Sequence, residues 1–366
     1  MVILHGMAGG RKGRKEIDVR WRTSTRSRAV TIGEGLAVLV ARPGPLEDSD
    51  IFERTAGGAE SNVATVLTQL GIDAAWISRV GDDGFGRYLV GHLADRGVDV
   101  SAVVTDPTRP TAVYIKERGS GSGKATDLAE RVSRMLYYRT GSAASALSAT
   151  DLAATAAARV LDSCEVVHFT GITTALSESA TELTEALITM PRHGRLVSFD
   201  LNFRPTLWAG RLERAADVLA GHVRDSDVVF LGADEAGEVF DVDDPDRLRA
   251  LFPEPEHLVV KNNEHSVTGF SGHERVEMPA LGLDITERIG AGDAFAGGYL
   301  AALLHGRPLA QRLRFGHLCA AAALTGTGDI AELPSPEVLH SLAILDETAW
   351  AGVHYAEAVV AHNVAL

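Results

Sequence analysis

Short apolar runs, many of them β-branched, alternate with helical patterns along most of this 366-residue chain. Runs long enough for buried strands lie at residues 75–80, 166–170, 196–200, 228–231 and 258–261, and a further strand is predicted to run from 29 into a turn at 33–34. Apolar strands separated by helices indicate an α/β layered fold with a largely parallel sheet. Ligands of such sheets bind beyond the carboxyl ends of the strands, where we expect segments 200–202 and 232–235.

Composition narrows the class of function. An apolar content of 45% supports a large core, and the net charge of −14 argues against nucleic acid as the main partner. No apolar run reaches the length of a membrane span, and the two cysteines lack the spacing of a metal site or a disulfide pair. We therefore expect a cytoplasmic enzyme that acts on small molecules.

The two ends of the chain differ from its body. Residues 1–28 hold eight Lys and Arg against Glu16 and Asp18 and show little periodicity, so we expect a disordered basic extension. A tail that binds an acidic partner is the alternative. The folded body is expected at 29–343, and residues 344–366 are expected to form a helical extension beyond the core.

The segment Gly290-Ala291-Gly292-Asp293 precedes an apolar run at 295–304. Its small residues allow the backbone to turn tightly into a helix, and the free N–H groups and dipole at such a helix start stabilise an anion. Asp293 is then either a charge that stabilises the helix or a base beside a bound phosphate.

A second helix start lies far upstream. Gly57 and Gly58 precede Asn62, and apolar residues then follow at the helical positions Val63, Val66, Leu67 and Leu70 before Gly71. The two motifs together resemble the two signatures of the ribokinase (PfkB) family of sugar kinases, over roughly residues 29–340.

The resemblance implies a ribokinase-like fold, with three α/β/α layers, a mostly parallel central sheet and a small β-sheet lid. Lid strands are expected mainly within 100–140, at 103–104, 111–115 and 135–138, and also within 35–56. We expect the loop at 119–130 to be disordered. Relatives often form dimers through the lid, so the resemblance also allows a homo-oligomer.

Four further segments, at 57–60, 137–143, 168–173 and 200–208, resemble the 2-keto-3-deoxygluconate kinases of this family. They imply ATP-dependent phosphorylation of the terminal hydroxyl of that sugar acid, giving 2-keto-3-deoxy-6-phosphogluconate. Two alternatives remain: a kinase for another sugar such as fructose, and a sugar-sensing protein with a decayed nucleotide site.

On the sugar side, the resemblance implies contacts from Gly58, Asn62, Tyr114, Tyr138, Arg139, Arg204 and Asp329. The planar paired donors of Arg139 and Arg204 suit a substrate carboxylate. The alternative readings are surface ion pairs for the arginines, lid packing for the tyrosines and a turn residue for Asp329.

On the nucleotide side, the resemblance implies Asp293 as the base and the amides of Gly290, Ala291 and Gly292 as donors to the transferred phosphoryl group. Lys261 and Asn202 would contact ATP, with Gly290 and Gly292, and Glu235 would support Mg²⁺ through water.

Two positions depart from the family pattern. The loop 261–267 lacks both usual glycines, so Asn263 and Ser266 are expected in their place near ATP, with Glu264 between them. Glu287 replaces the usual Asp at a position that contributes to monovalent-cation sites in some relatives. ATP affinity and activation by a monovalent cation therefore stay open.

Overall fold

The computed structural model describes residues 28–130, 132–262, 265–286, 289–326 and 332–365. The strands within these ranges, β1 to β13, are Ala29–Ile32, Leu36–Ala41, Phe52–Gly57, Ala74–Gly81, Val103–Asp106, Val113–Arg118, Ser133–Tyr138, Val166–Thr170, Leu196–Asp200, Val228–Gly232, His257–Asn262, Ser266–Ser271 and Glu274–Pro279. The α-helices, α1 to α14, are Ala59–Gln69, Gly84–Ala94, Ala149–Leu152, Thr155–Ser163, Gly171–Ala175, Glu178–Thr189, Leu212–Asp225, Ala233–Phe240, Pro245–Leu251, Ala291–Leu304, Leu309–Thr325, Pro336–Ala343, Glu347–Ala351 and Tyr355–Ala365. Short 3₁₀ helices lie at Leu46–Asp48, Ala144–Ala146 and Pro205–Trp208.

A large sheet forms the centre of the fold. Its order in the described part of the chain is β13-β12-β11-β10-β9-β8-β1-β4-β5. The pairs from β11 through β5 are parallel, whereas β12 pairs antiparallel with β11 and β13. The six strands predicted from the sequence are all in this sheet, as β1, β4, β8, β9, β10 and β11, so the predicted α/β class is confirmed.

A small sheet of order β3-β2-β6-β7 provides the expected lid. Strands β2 and β6 are parallel, and β3 and β7 flank them antiparallel. The assignment of 103–104 to the lid was wrong. Residues Val103–Asp106 form β5, which pairs parallel with β4 at the edge of the large sheet.

The loop at 119–130 adopts a defined conformation, contrary to the expected disorder. The Asp127 carboxylate accepts hydrogen bonds from the backbone N–H and hydroxyl of both Ser120 and Ser122, at 2.7 to 3.1 Å. Lys124 Nζ lies 2.7 Å from Asp48 Oδ2. The polar residues that suggested disorder therefore bond to one another and to a neighbouring turn.

Two apolar cores cover the two faces of the large sheet. Alternate residues of β1 and β4 contribute to each, since successive side chains of a strand point to opposite faces. One core contains Val63, Val66, Leu67 and Leu70, the apolar face predicted for α1. Within the described residues, no helix is long and apolar enough to cross a membrane.

The outcome differs between the two ends of the chain. Residues 1–27 of the expected basic extension lie outside the described residues. At 344–366 the single expected helix is instead the pair α13 and α14. The segment does not lie beyond the core, because Trp350 and Tyr355 are buried within it.

Buried His222 makes stability depend on pH. Its ring packs edge-on against both Phe169 and Phe199, and its Nε2 lies 3.0 Å from Thr184 Oγ1. Burial lowers the pKa of His222 to about 4. The folded protein thus keeps this ring neutral while the unfolded chain protonates it near pH 6.5, so its contribution to stability is lost as pH falls from about 6.5 towards 4.

We therefore predict that wild type loses more stability between pH 7.5 and pH 5 than His222→Gln does, by roughly 2 kcal/mol, in urea unfolding. The comparison between variants cancels the other titrating groups. The exposed His193→Gln is the matched control for loss of a histidine. Equal losses in wild type and His222→Gln would contradict the argument.

Candidate active site

A cavity of about 380 Å³ opens between the carboxyl ends of the central strands and the small sheet. It is lined by Glu34, Leu36, Gly58, Ala59, Asn62, Tyr114, Met135, Tyr137, Arg139, Ile172, Asp200, Asn202, Arg204, Glu235, Lys261, Ile289, Gly290, Gly292 and Asp293. Both sequence signatures therefore meet at one cavity, at the sheet edge where ligands of this architecture bind.

Asp293 lies in the first turn of α10, and the backbone before it explains how it gets there. Gly290 caps the helix at φ 78°, a left-handed conformation that glycine adopts without strain. The Asp293 carboxylate accepts a hydrogen bond of 2.8 Å from Asn62 Nδ2 and a longer one of 3.5 Å from Asn202 Nδ2. Two amides, one from α1 and one from the loop after β9, thus orient one carboxylate.

The carboxyl group of Asp293 is weakly acidic for an aspartate. Desolvation at the cavity floor, reinforced by the charge of Asp200, raises its pKa to about 6. The hydrogen bond from Asn62 and the charges of Lys261 and Arg204 act in the opposite direction. A carboxylate with this pKa is suited to accept a proton near neutral pH.

The start of α1 must approach the turn after β1 closely. Gly58 has φ 135°, and a Cβ atom there would lie 2.4 Å from the carbonyl oxygen of Glu34. In the same way, a Cβ on Gly297 of α10 would lie 2.7 Å from Val66 Cγ1 of α1. These two glycines let α1 and α10 pack tightly enough for Asn62 to reach Asp293.

Arg139 and Arg204 both face the cavity, each beside a carboxylate. Arg139 Nη1 lies 3.3 Å from Glu34 Oε2, and its guanidinium carbon lies 4.3 Å from the centroid of the Tyr137 ring. Arg204 Nη1 donates at 2.7 Å to Glu235 Oε1 and at 2.7 Å to the carbonyl oxygen of Phe203. Each arginine forms an ion pair, as one hypothesis expected, and each also lines the cavity, as the substrate-binding hypothesis expected.

Several buried polar atoms of the cavity walls have no hydrogen-bond partner among the described residues. They are Arg139 Nε, Tyr114 Oη, Asn62 Oδ1 and Asn202 Oδ1. Buried donors and acceptors are rarely left unpaired, because each costs the free energy of its lost hydration. The cavity is therefore built for a ligand that carries several hydroxyl or carboxylate groups.

Lys261 joins this cavity to its neighbour. Its Nζ lies 2.9 Å from Asp200 Oδ2, and a Cβ on Gly292 would lie 3.6 Å from that nitrogen. Burial alone would lower the pKa of Lys261, but Asp200 and Glu235 raise it overall. A charged ammonium therefore stands beside the start of α10.

Glu235, at the position expected to support a metal, pairs with Arg204 across the same cavity. A Cβ on Gly232 would lie 3.1 Å from Glu235 Oε2, so the glycine leaves room for that carboxylate. Among the described residues, no group of three or more His, Cys, Asp and Glu could hold a metal ion.

A second cavity of about 230 Å³ lies on the other side of Lys261 and Gly292. Its lining is mostly apolar and includes Val267, Leu281, Leu283, Ile285, Phe295, His317 and Leu324. Such a pocket suits a flat apolar or aromatic group, and its position extends a ligand site from the first cavity past the start of α10.

Two of the candidate residues lie outside both cavities. Tyr138 is 62% exposed, because β7 pairs Tyr137, not Tyr138, with Tyr114. Tyr137 therefore shares the cavity face with Tyr114, and the assignment of Tyr138 was wrong by one strand position. Ser266 lies on β12, where its hydroxyl bonds Glu277 Oε1 at 3.3 Å.

Other candidates fall outside the described residues, namely Asn263, Glu264, Glu287 and Asp329. The cavities also contain residues that were not among the candidate side chains. Tyr137 follows from strand alternation, and Asp200 is the last residue of β9, where a ligand group is expected. No sequence pattern predicts that Glu34 and His317 line a cavity, because only the folded chain brings them there.

Comparison with known proteins is consistent with this geometry. Residues 29–336 match the pfkB family carbohydrate kinase model. The chain is 34% identical to the 2-dehydro-3-deoxygluconokinase of Thermoproteus tenax (86% of this chain, 93% of that one) and 32% identical to a fructokinase of Klebsiella pneumoniae (76% and 88%). The structure of 2-dehydro-3-deoxygluconokinase from Thermotoga maritima is similar at a TM-score of 0.72 and 26% identity, covering 86% of this chain and 98% of that one.

The match spans both signatures and the whole region that forms the two cavities. The described sheets and helices agree with the fold expected from those signatures. The family assignment therefore holds, although the relatives named above act on different sugars. The chain belongs to the pfkB family of carbohydrate kinases.

Proposed function

We propose that this kinase transfers the γ-phosphoryl group of ATP to the terminal hydroxyl of 2-keto-3-deoxygluconate. The observation that carries this proposal is the pair of guanidinium groups, Arg139 and Arg204, in the cavity that holds Asp293. A neutral sugar needs hydroxyl partners, whereas a sugar acid also needs cationic donors for its carboxylate.

The two arginines can donate hydrogen bonds to a substrate carboxylate from their present positions in the cavity. Both bonds described for Arg204 use Nη1, and the side chain is half-exposed. Arg139 presents a buried Nε that has no partner among the described residues. Tyr114 and Asn62 add polar atoms that suit the sugar hydroxyls, and Gly58 lines the same cavity without a side chain.

In the proposed reaction, Asp293 accepts the proton of the attacking hydroxyl. The amides of Gly290, Ala291 and Gly292 stabilise the transferred phosphoryl group, because unpaired N–H groups at a helix start favour anions. Lys261 adds positive charge beside the same helix start. Positioning and electrostatic stabilisation supply most of the catalysis in phosphoryl transfer.

The residues present fit ATP. The polar helix start would take the phosphates, and the apolar second cavity would take the base, with Lys261 between them. The residues also fit Mg²⁺ carried by the phosphates, which Glu235 and Asp200, both of which line the cavity, would hold through water. Bound Mg²⁺ would neutralise charge on the phosphates.

A substrate panel tests the proposal against the other sugars that related kinases use. Purified protein, ATP and Mg²⁺ would be assayed by coupled ADP release with 2-keto-3-deoxygluconate, its galacto epimer, gluconate and fructose. The expected result is the highest kcat/KM with a 2-keto-3-deoxy acid. A higher kcat/KM with fructose would overturn the assignment of a sugar acid as substrate. If wild type does not bind ATP, the alternative of a sugar-sensing protein would be favoured.

For the proposed reaction, the first prediction concerns the base. Asp293→Asn is expected to lower kcat by about 10²-fold or more, as loss of a positioned base does, with little change in sugar affinity. In wild type, kcat/KM is expected to fall as pH drops below about 6, because Asp293 protonates there. The measurements are steady-state kinetics from pH 5 to 9.

The variant Asn62→Leu sharpens this test. It removes the hydrogen bond that lowers the pKa of Asp293, so the acid limb of kcat/KM should move to higher pH. An acid limb that stays in place in Asn62→Leu, or normal turnover in Asp293→Asn, would remove Asp293 from the mechanism.

The second prediction concerns substrate charge. Arg204→Leu is expected to weaken the transition-state interaction with the keto acid by roughly 1.5–3 kcal/mol, the size of a charged hydrogen bond, and to affect fructose little. The matched control is Glu235→Gln, which removes the ion pair but keeps the guanidinium. Because Glu235 is also proposed to support Mg²⁺, this control is judged by the ratio of kcat/KM for the keto acid to that for fructose, which should stay as in wild type. Equal losses on acid and neutral sugar in Arg204→Leu would make Arg204 a structural residue.

A further inference from the structure

The segment 280–285 forms one wall of the second cavity and depends on the C-terminal end of the chain. Leu281, Leu283 and Ile285 line the cavity from this segment. At its middle, Gly282 N donates to Val353 O at 3.2 Å, and Tyr355 N donates to Gly282 O at 2.8 Å. The C-terminal segment thus pairs with this wall as a short parallel bridge.

The ends of the same wall are held by the body of the fold. Ala280 N donates to His265 O at 3.1 Å, and Thr286 N donates to Leu324 O at 2.8 Å. Between these two points, the hydrogen bonds described for the backbone go to the C-terminal segment. The position of the wall in its middle therefore follows the position of that segment.

Trp350 of α13 acts on a second part of the cavity. Its side chain is 1% exposed, and its Nε1 donates at 3.2 Å to the carbonyl oxygen of Pro279, the residue before the wall. Its ring lies 6.2 Å from the ring of His317, which lines the cavity and packs edge-on against Phe295. Trp350 therefore supports both the wall, through Pro279, and the part of the cavity lining formed by His317.

The position of Trp350 is itself fixed by α11. The guanidinium carbon of Arg314 lies 5.2 Å from the centroid of the Trp350 ring. Arg314 Nη1 also donates to the carbonyl oxygens of Ala343 and Leu345, which precede α13. A five-residue helix has little stability alone, so these contacts hold α13 in place.

We infer that residues 346–355 brace the nucleotide-base pocket and that Trp350 is its positioning residue. These residues lie beyond the region 29–336 that matches the family model. The inference rests on the proposed nucleotide site. A pocket held in its bound shape before ATP arrives binds with less loss of conformational entropy, so the brace acts on nucleotide affinity and not on the sugar.

The test compares Trp350→Phe and Trp350→Ala with wild type in the full chain. The dissociation constants of ATP and ADP would be measured calorimetrically without sugar, together with KM for both substrates and the Tm. Trp350→Ala is expected to weaken nucleotide binding about tenfold and Trp350→Phe, which loses the N–H and part of the ring but stays aromatic, about threefold, with the sugar KM within about twofold of wild type.

Trp76→Phe is the matched control. Trp76 is buried in β4, near the opposite edge of the large sheet from β12 and β13. The Trp76→Phe variant should have a lower Tm than wild type and an unchanged nucleotide Kd. If Trp350→Ala does not fold, Trp350→Phe decides the question.

An unchanged nucleotide Kd in the Trp350 variants, with a lowered Tm, would overturn the brace and leave Trp350 as core packing. Failure of wild type to bind ATP at millimolar concentration would instead overturn the proposed function, and the brace with it. Binding of nucleotide by wild type therefore separates the two failures.

Discussion

The hydrogen bond between Asn62 Nδ2 and Asp293 is the contact on which the site depends, because it joins two helix starts that are 231 residues apart in the chain. It forms only if α1 and α10 pack closely, and Gly297 against Val66 permits this approach. Gly58 and Gly290 then set the backbone at the two helix starts, both with positive φ. The glycines of both signatures thus have a geometric purpose, which is to bring one amide and one carboxylate together.

The balance of charge around this contact suits anionic ligands. Arg139, Arg204 and Lys261 each lie beside a carboxylate of the protein, at 2.7 to 3.3 Å. Each of these cations is balanced by its partner carboxylate before ligands bind, and Asp293 adds a further acidic group. Burial raises the pKa of Glu34 and Glu235 despite their arginine partners. In the proposed reaction, a sugar carboxylate and the phosphates of ATP would share these cations. Their attraction is strong in a partly desolvated cavity.

The sequence predicts much of this arrangement because its main signals are local. Strand periodicity predicted six central strands, and the paired glycine motifs predicted both helix starts at the site. The errors come from features that depend on tertiary pairing. The register of β7 exchanged Tyr138 for Tyr137, Val103–Asp106 joined the large sheet, and Asp127 ordered a loop whose composition suggested disorder. Glu34, His317 and the packing of Trp350 carry no local pattern, since only the folded chain brings them to a cavity.

The most direct test of the central claim is identification of the product. Protein, ATP, Mg²⁺ and 2-keto-3-deoxygluconate would be incubated together, and the product examined by phosphorus and carbon NMR alongside the amount of ADP formed. The account predicts one sugar monophosphate, with the ester on the terminal hydroxyl, in equal amount to ADP and formed about 10²-fold or more slowly with Asp293→Asn. ADP without a phosphorylated sugar acid, or a phosphate ester at another hydroxyl, would contradict it.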